Sequence, residues 1–296
     1  MNHSTSQSKA KPNFTLREIT EEELDKVCWI VSKEFLDDPI ASFCFEFEEY
    51  PKTRSSSEGM QIHHLFSCVA KSCFYSGGRI VVATTSEPPA TQGHRPSTPP
   101  PSDSARQKGE EVIAAVACWE PPNRRMNPWN ILSIIRSGAL KVLKGSGVGA
   151  VMRVLNYMSL SEKTHQRAFE NSNTTPKDAW YLALAMTAKE YQGQGCLSLL
   201  VREAYSHART VSPNKVVPFI LESSTPRSRD RYIHLGFEVE NQPKTILGKR
   251  ECDSRGLKPS AKMVSRLEGN SDGDAEGEHT GVEYWCMVNW NPQVQA

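Results

Sequence analysis

The chain has 296 residues, of which 38% are hydrophobic, and 35 Lys and Arg stand against 34 Asp and Glu for a net charge of +1. That apolar fraction supports a core of ordinary size and excludes disorder throughout, and so small a net charge offers no basic field for nucleic acid. No apolar run approaches the ~20 residues of a membrane span, and the first nineteen residues lack a signal-peptide core, so the expected setting is cytoplasmic, with no integral membrane segment.

After a polar tail over residues 1–12, Phe14 to Ile19 reads as a first strand. Thr20-Glu21-Glu22-Glu23 is a capping box before a helix with Leu24, Val27, Cys28, Val31 and Phe35 on one face. An acidic turn, Asp37-Asp38-Pro39 through Glu46 to Glu49, leads to a second helix carrying Ile62, Leu65, Phe66, Val69 and Cys73. Arg79 to Thr84 and Val112 to Trp119 are two strands joined by a Pro, Ser and Thr-rich insertion over 85–110, too polar to offset its ordering entropy. Between Met126 and Met158 the spacing gives two helices of basic character, broken at Gly145-Ser146-Gly147-Val148-Gly149-Ala150, a stretch whose formal dinucleotide pattern follows helical rather than strand spacing. A second polar insertion is expected over 247–281, before a last strand near Val282 to Trp290. One domain over 13–292 with two flexible insertions is the simplest organisation.

The most informative stretch runs from Tyr181 to Phe237: an apolar strand to Met186, the turn Tyr191-Gln192-Gly193-Gln194-Gly195, and a helix with Leu197, Leu200, Val201, Ala204 and Tyr205 at helical spacing. Glycines at the mouth of a helix allow backbone N–H groups to converge beside the positive end of its dipole, which suits a phosphate. A Walker loop would end Gly-Lys-Ser/Thr and a dinucleotide fingerprint would place Gly or Ala at Ser198, and neither is present. Phosphate binding and plain packing of helix on strand both remain open from spacing alone. A further strand, Val216 to Glu222, and a short helix ending Tyr232-Ile233-His234-Leu235-Gly236-Phe237 follow.

These two segments together resemble the GCN5-related N-acetyltransferase superfamily. Gln192-Gly193-Gln194-Gly195 is similar to the start of its Gln/Arg-x-x-Gly-x-Gly/Ala loop, and Tyr232 to Phe237 to its later Tyr-x-x-x-Gly-Phe motif. Within it, puromycin N-acetyltransferase and similar fungal sequences are resembled through Leu221 to Arg227, Tyr232 to Val239 and Trp285-Cys286-Met287. The resemblance implies an α/β (α+β) fold with a mixed, mostly antiparallel central sheet flanked by helices and splayed between strands 4 and 5. It implies acetyl-CoA as co-substrate, held by the backbone of Met186 and Thr187 and by Gln192, Gly193, Gln194, Gly195, Cys196 and Leu197, with Ser228 facing the cofactor arm. Leu197 stands where the family has a second small residue, and Ser228 where it commonly has Asn.

The implied reaction is transfer of acetyl to a primary amine of a small molecule, such as a natural product, antibiotic or xenobiotic, in secondary metabolism or detoxification. A protein or peptide N-acetyltransferase and a non-catalytic binding module are the alternatives. A thioester acyl transfer needs a proton acceptor for the amine, donors for the oxyanion and a proton for the thiolate. Tyr232, a phenol with a pKa near ~10, is the expected acid. Glu222 is the expected base or else a strand-end structural carboxylate, and His165 is a further acceptor-pocket candidate. Eight cysteines without a Cys-x-x-Cys pair read as buried free thiols, and no metal site is expected.

Overall fold

The computed structural model describes residues 12–86, 111–125, 135–240, 244–259 and 280–292. The N-terminal tail to residue 11, most of the first insertion (87–110) and residues 260–279 of the second lie outside the described residues. Strand β1 (Thr15–Glu18) leads through the capping box, in which Glu23 accepts the Thr20 N–H, and a 3-10 turn into helix α1 (Leu24–Glu34). Where the sequence reading had only a turn, α2 (Pro39–Phe45) is a short helix. Asp38 caps it by accepting the Ala41 N–H at 2.9 Å, and Pro39 at its first position has no N–H to lose. Helix α3 (Ser57–Tyr75) and strands β2 (Arg79–Thr85) and β3 (Val112–Glu120) follow as expected.

Helix α4 (Ala139–Phe169) is interrupted at Gly147, whose φ of 80° and ψ of 172° are not helical, so the expected break is present within the glycine run. Strand β4 (Trp180–Thr187), helix α5 (Cys196–Val211), strand β5 (Phe219–Ser223) and helix α6 (Pro226–Ile233) form the segment singled out by its glycines. Short strands β6 (Glu238–Val239) and β7 (Thr245–Leu247) line one edge of the last strand, β8 (Val282–Asn289).

The strands are ordered β1-β2-β3-β4-β5-β8-β6, with β7 also on β8, and every pair is antiparallel except β4 and β5. This is the mixed, mostly antiparallel sheet flanked by helices that the resemblance implied. One face buries Trp119, Trp180, Leu182, Phe219 and Leu221 against Leu200, Val201 and Ala204 of α5. The other buries Ile80, Val82, Val116, Leu184 and Met186 against Val27, Val31 and Ala70 of α1 and α3. Both layers follow from helices with one apolar stripe packed on a sheet that is apolar on two faces.

One expectation is corrected. The first residues of the supposed second insertion are packed, with Leu247, Cys252 and Leu257 buried beside α2. A Cβ at Gly256 would collide with the Pro39 carbonyl, and Asp253 organises the loop by accepting the N–H groups of Arg255 (2.8 Å) and Leu257 (3.0 Å).

Candidate active site

The parallel pairing of β4 and β5 covers only Trp180 to Leu182 against Phe219 to Leu221. Beyond that point β4 continues beside β3 alone, and the two strands part. A register shift accompanies the parting: Trp119 pairs with Leu182 but Cys118 with Leu184, leaving Ala183 as an extra residue. The extra residue reverses the facing of β4. Leu182 joins the α5 side of the sheet, whereas Leu184 and Met186 join the α1 and α3 side.

The same reversal decides which backbone groups enter the gap. Ala188 donates its N–H to Ala114 of the neighbouring chain segment at 2.9 Å, and an antiparallel ladder alternates. The N–H groups of Leu184 and Met186 therefore also turn toward β3, and those of Ala185 and Thr187 turn into the gap. Of the two residues expected there, Thr187 turns its N–H into the gap, whereas Met186 turns its N–H toward β3 and Ala185 takes the gap-facing place.

Below the gap lies the glycine turn. Gly193 and Gly195 have φ of 77° and 90°, the left-handed region that glycine enters without a side-chain clash, and Gly195 caps α5 with nothing within 4 Å of where a Cβ would stand. The other side chains of the turn look away from that opening. Gln192 donates to the Thr187 carbonyl (3.3 Å), Gln194 donates to the Glu190 carbonyl (3.0 Å), Cys196 is buried, and Leu197 packs on the core beside Leu200. Leu197, which stands where the resembled family has a second small residue, is thus half-buried against the core. What remains outward is main chain at a helix N-terminus with room above it, which fits a diphosphate. Glu34 of α1 holds the approach by accepting the Lys189 N–H at 3.2 Å.

On the α4 side of the gap, Glu222 follows the last parallel pair. His165 Nε2 lies 2.8 Å from one carboxylate oxygen, and Tyr181 donates its hydroxyl to the other at 2.7 Å. Burial alone would raise this carboxyl, but the hydrogen bonds from His165 and Tyr181, with the Arg125 charge, outweigh it and hold the pKa below 4.5. The Arg125 guanidinium lies 4.7 Å from the Tyr181 ring centre. Tyr157, Ser161 and His165 line this face of α4 at four-residue spacing, and Cys286 stands opposite Glu222 across β5 and β8. His165 is 1% exposed, and its Nδ1 has no hydrogen-bond partner among the described residues. With Nε2–H given to an ionised Glu222, Nδ1 carries the free lone pair of the cluster.

Glu120, at the end of β3, has its carboxyl pushed up to about 7 by burial, with Arg125 opposing and Glu222 adding to the rise. A folded pKa above the ordinary 4.5 means that its contribution to stability is fully present below 4.5 and is lost as pH rises through about 7. The loss amounts to roughly 3 kcal/mol at about 1.4 kcal/mol per pKa unit. Glu120→Gln is expected to flatten this part of the profile and to raise stability at about pH 8 relative to the parent, as read by urea unfolding.

On the α5 side of the gap, Tyr232 is buried in the core cluster, edge-on to Phe237 at 5.7 Å. Its hydroxyl makes no hydrogen bond among the described residues, and burial pushes its pKa up, which keeps the phenol protonated. Ser228 is differently placed from the expected cofactor-facing role. Its hydroxyl is tied to Ser223 (2.6 Å) and to Thr225 (2.8 Å), the cap of α6. Tyr232 and Glu222 thus flank the parting strands from opposite faces. Asp38, whose carboxylate also bonds Ser224 just beyond β5, brings the start of α2 to the same rim, and burial pushes its pKa up against that bond and the one from Ala41.

No protein-family model matches the chain, and no curated protein matches it. Among solved structures, it is similar to "histone acetyltransferase HPA2 and related acetyltransferase" from Corynebacterium glutamicum, at 18% identity over 97% of this chain and 100% of that chain with a TM-score of 0.45. It is similar also to arylalkylamine N-acetyltransferase 2 from Aedes aegypti, at 11% identity over 93% and 98% with a TM-score of 0.46. A third is the Drosophila melanogaster polyamine N-acetyltransferase, at 9% identity over 93% and 98% with a TM-score of 0.45.

Proposed function

We propose that this chain is an acetyl-CoA-dependent N-acetyltransferase of the GCN5-related type, acting on a primary amine of a small molecule. The observation that carries the reading is the parting of β4 and β5 beyond Leu182 and Leu221. It places a glycine turn below the gap and polar groups on both flanks. The setting in secondary metabolism or detoxification, the cytoplasmic location and a single domain over 13–292 go with this reading and rest on the sequence resemblance and composition.

Acetyl-CoA supplies an activated acyl group, and the residues divide its handling. The main chain of Gly193 to Leu197 takes the diphosphate, with Gln192 and Gln194 bracing the turn. The N–H groups of Ala185 and Thr187 are the donors for the developing oxyanion. Glu222 holds His165 in the tautomer whose Nδ1 accepts a proton from the amine, so the carboxylate acts through the imidazole. Tyr232 donates the proton to the departing thiolate from the opposite face. Helix α4 covers the acceptor face through Tyr157, Ser161 and His165, and such a roof favours a small amine over a peptide.

Calorimetry tests the cofactor half. Acetyl-CoA is expected to bind, and Gly195→Ala, which forces a side chain into φ of 90°, is expected to weaken binding by about tenfold. Absence of binding by the parent protein, or equal affinity in the variant, would contradict the assignment of this turn.

A further inference from the structure

Helix α4 has two faces, of which the cofactor and acceptor account uses one. Val142, Ala150, Val154, Tyr157, Ser161 and His165 turn inward. Residues two positions away lie about half a helical turn round, so the opposite side carries Leu140 and Lys144 before the break at Gly147 and Val148, Met152 and Leu155 after it. Its apolar members are the wrong way out: Leu140 is 57% exposed, Val148 67%, Met152 59% and Leu155 50%, and Leu143 and Met158 beside them are exposed too. Single exposed apolar residues are ordinary, but their concentration on both helical segments of α4 marks a contact surface.

Charge identifies the partner. Residues 135–161 contain Arg136, Lys141, Lys144 and Arg153 and no Asp or Glu. Arg153 turns aside to Glu46 at 2.7 Å, and Arg136 lies near Glu21; Lys141 stands on the rim of a cavity shared with Asp25 without a close ion pair, and Lys144 has no ion pair among the described residues. A second copy docked ridge to ridge would set these lysines against each other, with no acid of residues 135–161 to neutralise them. An apolar ridge with unpaired cations at its N-terminal end fits an anionic lipid surface, where the apolar side chains enter the acyl boundary and the lysines meet headgroups. We propose that the outer ridge of α4 docks this protein on anionic membranes as a peripheral helix lying in the interface. No helix among the described residues is long and apolar enough to cross a membrane, so the contact is superficial.

Sedimentation with vesicles tests this without reference to catalysis. The full chain is expected to bind vesicles of phosphatidylcholine with phosphatidylserine, to bind phosphatidylcholine alone much less, and to be released by added salt. Val148→Glu with Met152→Glu should lower the partition by at least about tenfold, and Lys141→Glu or Lys144→Glu by about fivefold each. Val148→Ser with Met152→Ser repeats the test without new charge, and far-UV circular dichroism verifies that these exposed positions leave the fold intact. Equal partition onto the two vesicle types, or onto anionic vesicles with and without the ridge substitutions, would overturn the proposal. So would light scattering that shows a dimer which Val148→Glu with Met152→Glu makes monomeric.

Discussion

Tyr232→Phe is expected to lower amine-dependent thiol release from acetyl-CoA by about 10²–10⁴-fold while leaving acetyl-CoA affinity unchanged. The separation follows from the structure. The ring is buried beside Phe237 and stays so in the variant, so the fold and the glycine turn are undisturbed. Only the hydroxyl is removed, and it has no hydrogen-bond partner among the described residues, so its loss costs little stability. A tyrosine that merely packed would show unchanged turnover in the same assay.

Glu222→Ala should have the largest effect on stability, a loss of about 3–5 kcal/mol, because it leaves buried donors on His165 and Tyr181 without their acceptor. The pH dependence gives a second reading. A carboxylate whose folded pKa lies below 4.5 contributes stability that is fully present above 4.5 and is lost as pH falls through the folded value. Urea unfolding of the parent should therefore show a steeper acid limb below 4.5 than the variant, in which other carboxylates with lowered pKa remain. Turnover should fall as well, and His165→Gln separates the two roles. Its amide can still donate to Glu222 and preserve much of the stability, but it cannot accept the proton, so kcat should fall while most of the stability is kept.

The sequence was most legible where structure is local. Strand β4, the turn through Gly193 and Gly195, and helix α5 are consecutive, and each announces itself by periodicity or by a glycine that the backbone requires. The dyad was not legible, because His165 and Glu222 are 57 residues apart and meet only through α4 crossing the sheet. Tyr181 read as one more apolar strand residue, yet its hydroxyl completes the Glu222 site. The extra residue at Ala183 is invisible in an alternating apolar run, and with it the exchange of Met186 for Ala185 in the gap. Helix α2 did leave a signal, the Asp38-Pro39 start, outweighed by the acidic residues after it. The segment after Leu247 was misread for a compositional reason: its charged residues suggest a mobile loop, while Leu257 and Gly256 fix it to α2.

The central claim is that the parted strands hold an acyl-transfer site, and the most direct measurement is thiol release from acetyl-CoA across a panel of primary amines, with product mass determined in the same samples. The account predicts release that depends on the amine, an acetylated product, and loss of both in Tyr232→Phe. Acetyl-CoA bound without transfer to any amine would contradict the catalytic roles of Tyr232, Glu222 and His165, and release unaffected by Tyr232→Phe would contradict the assigned acid.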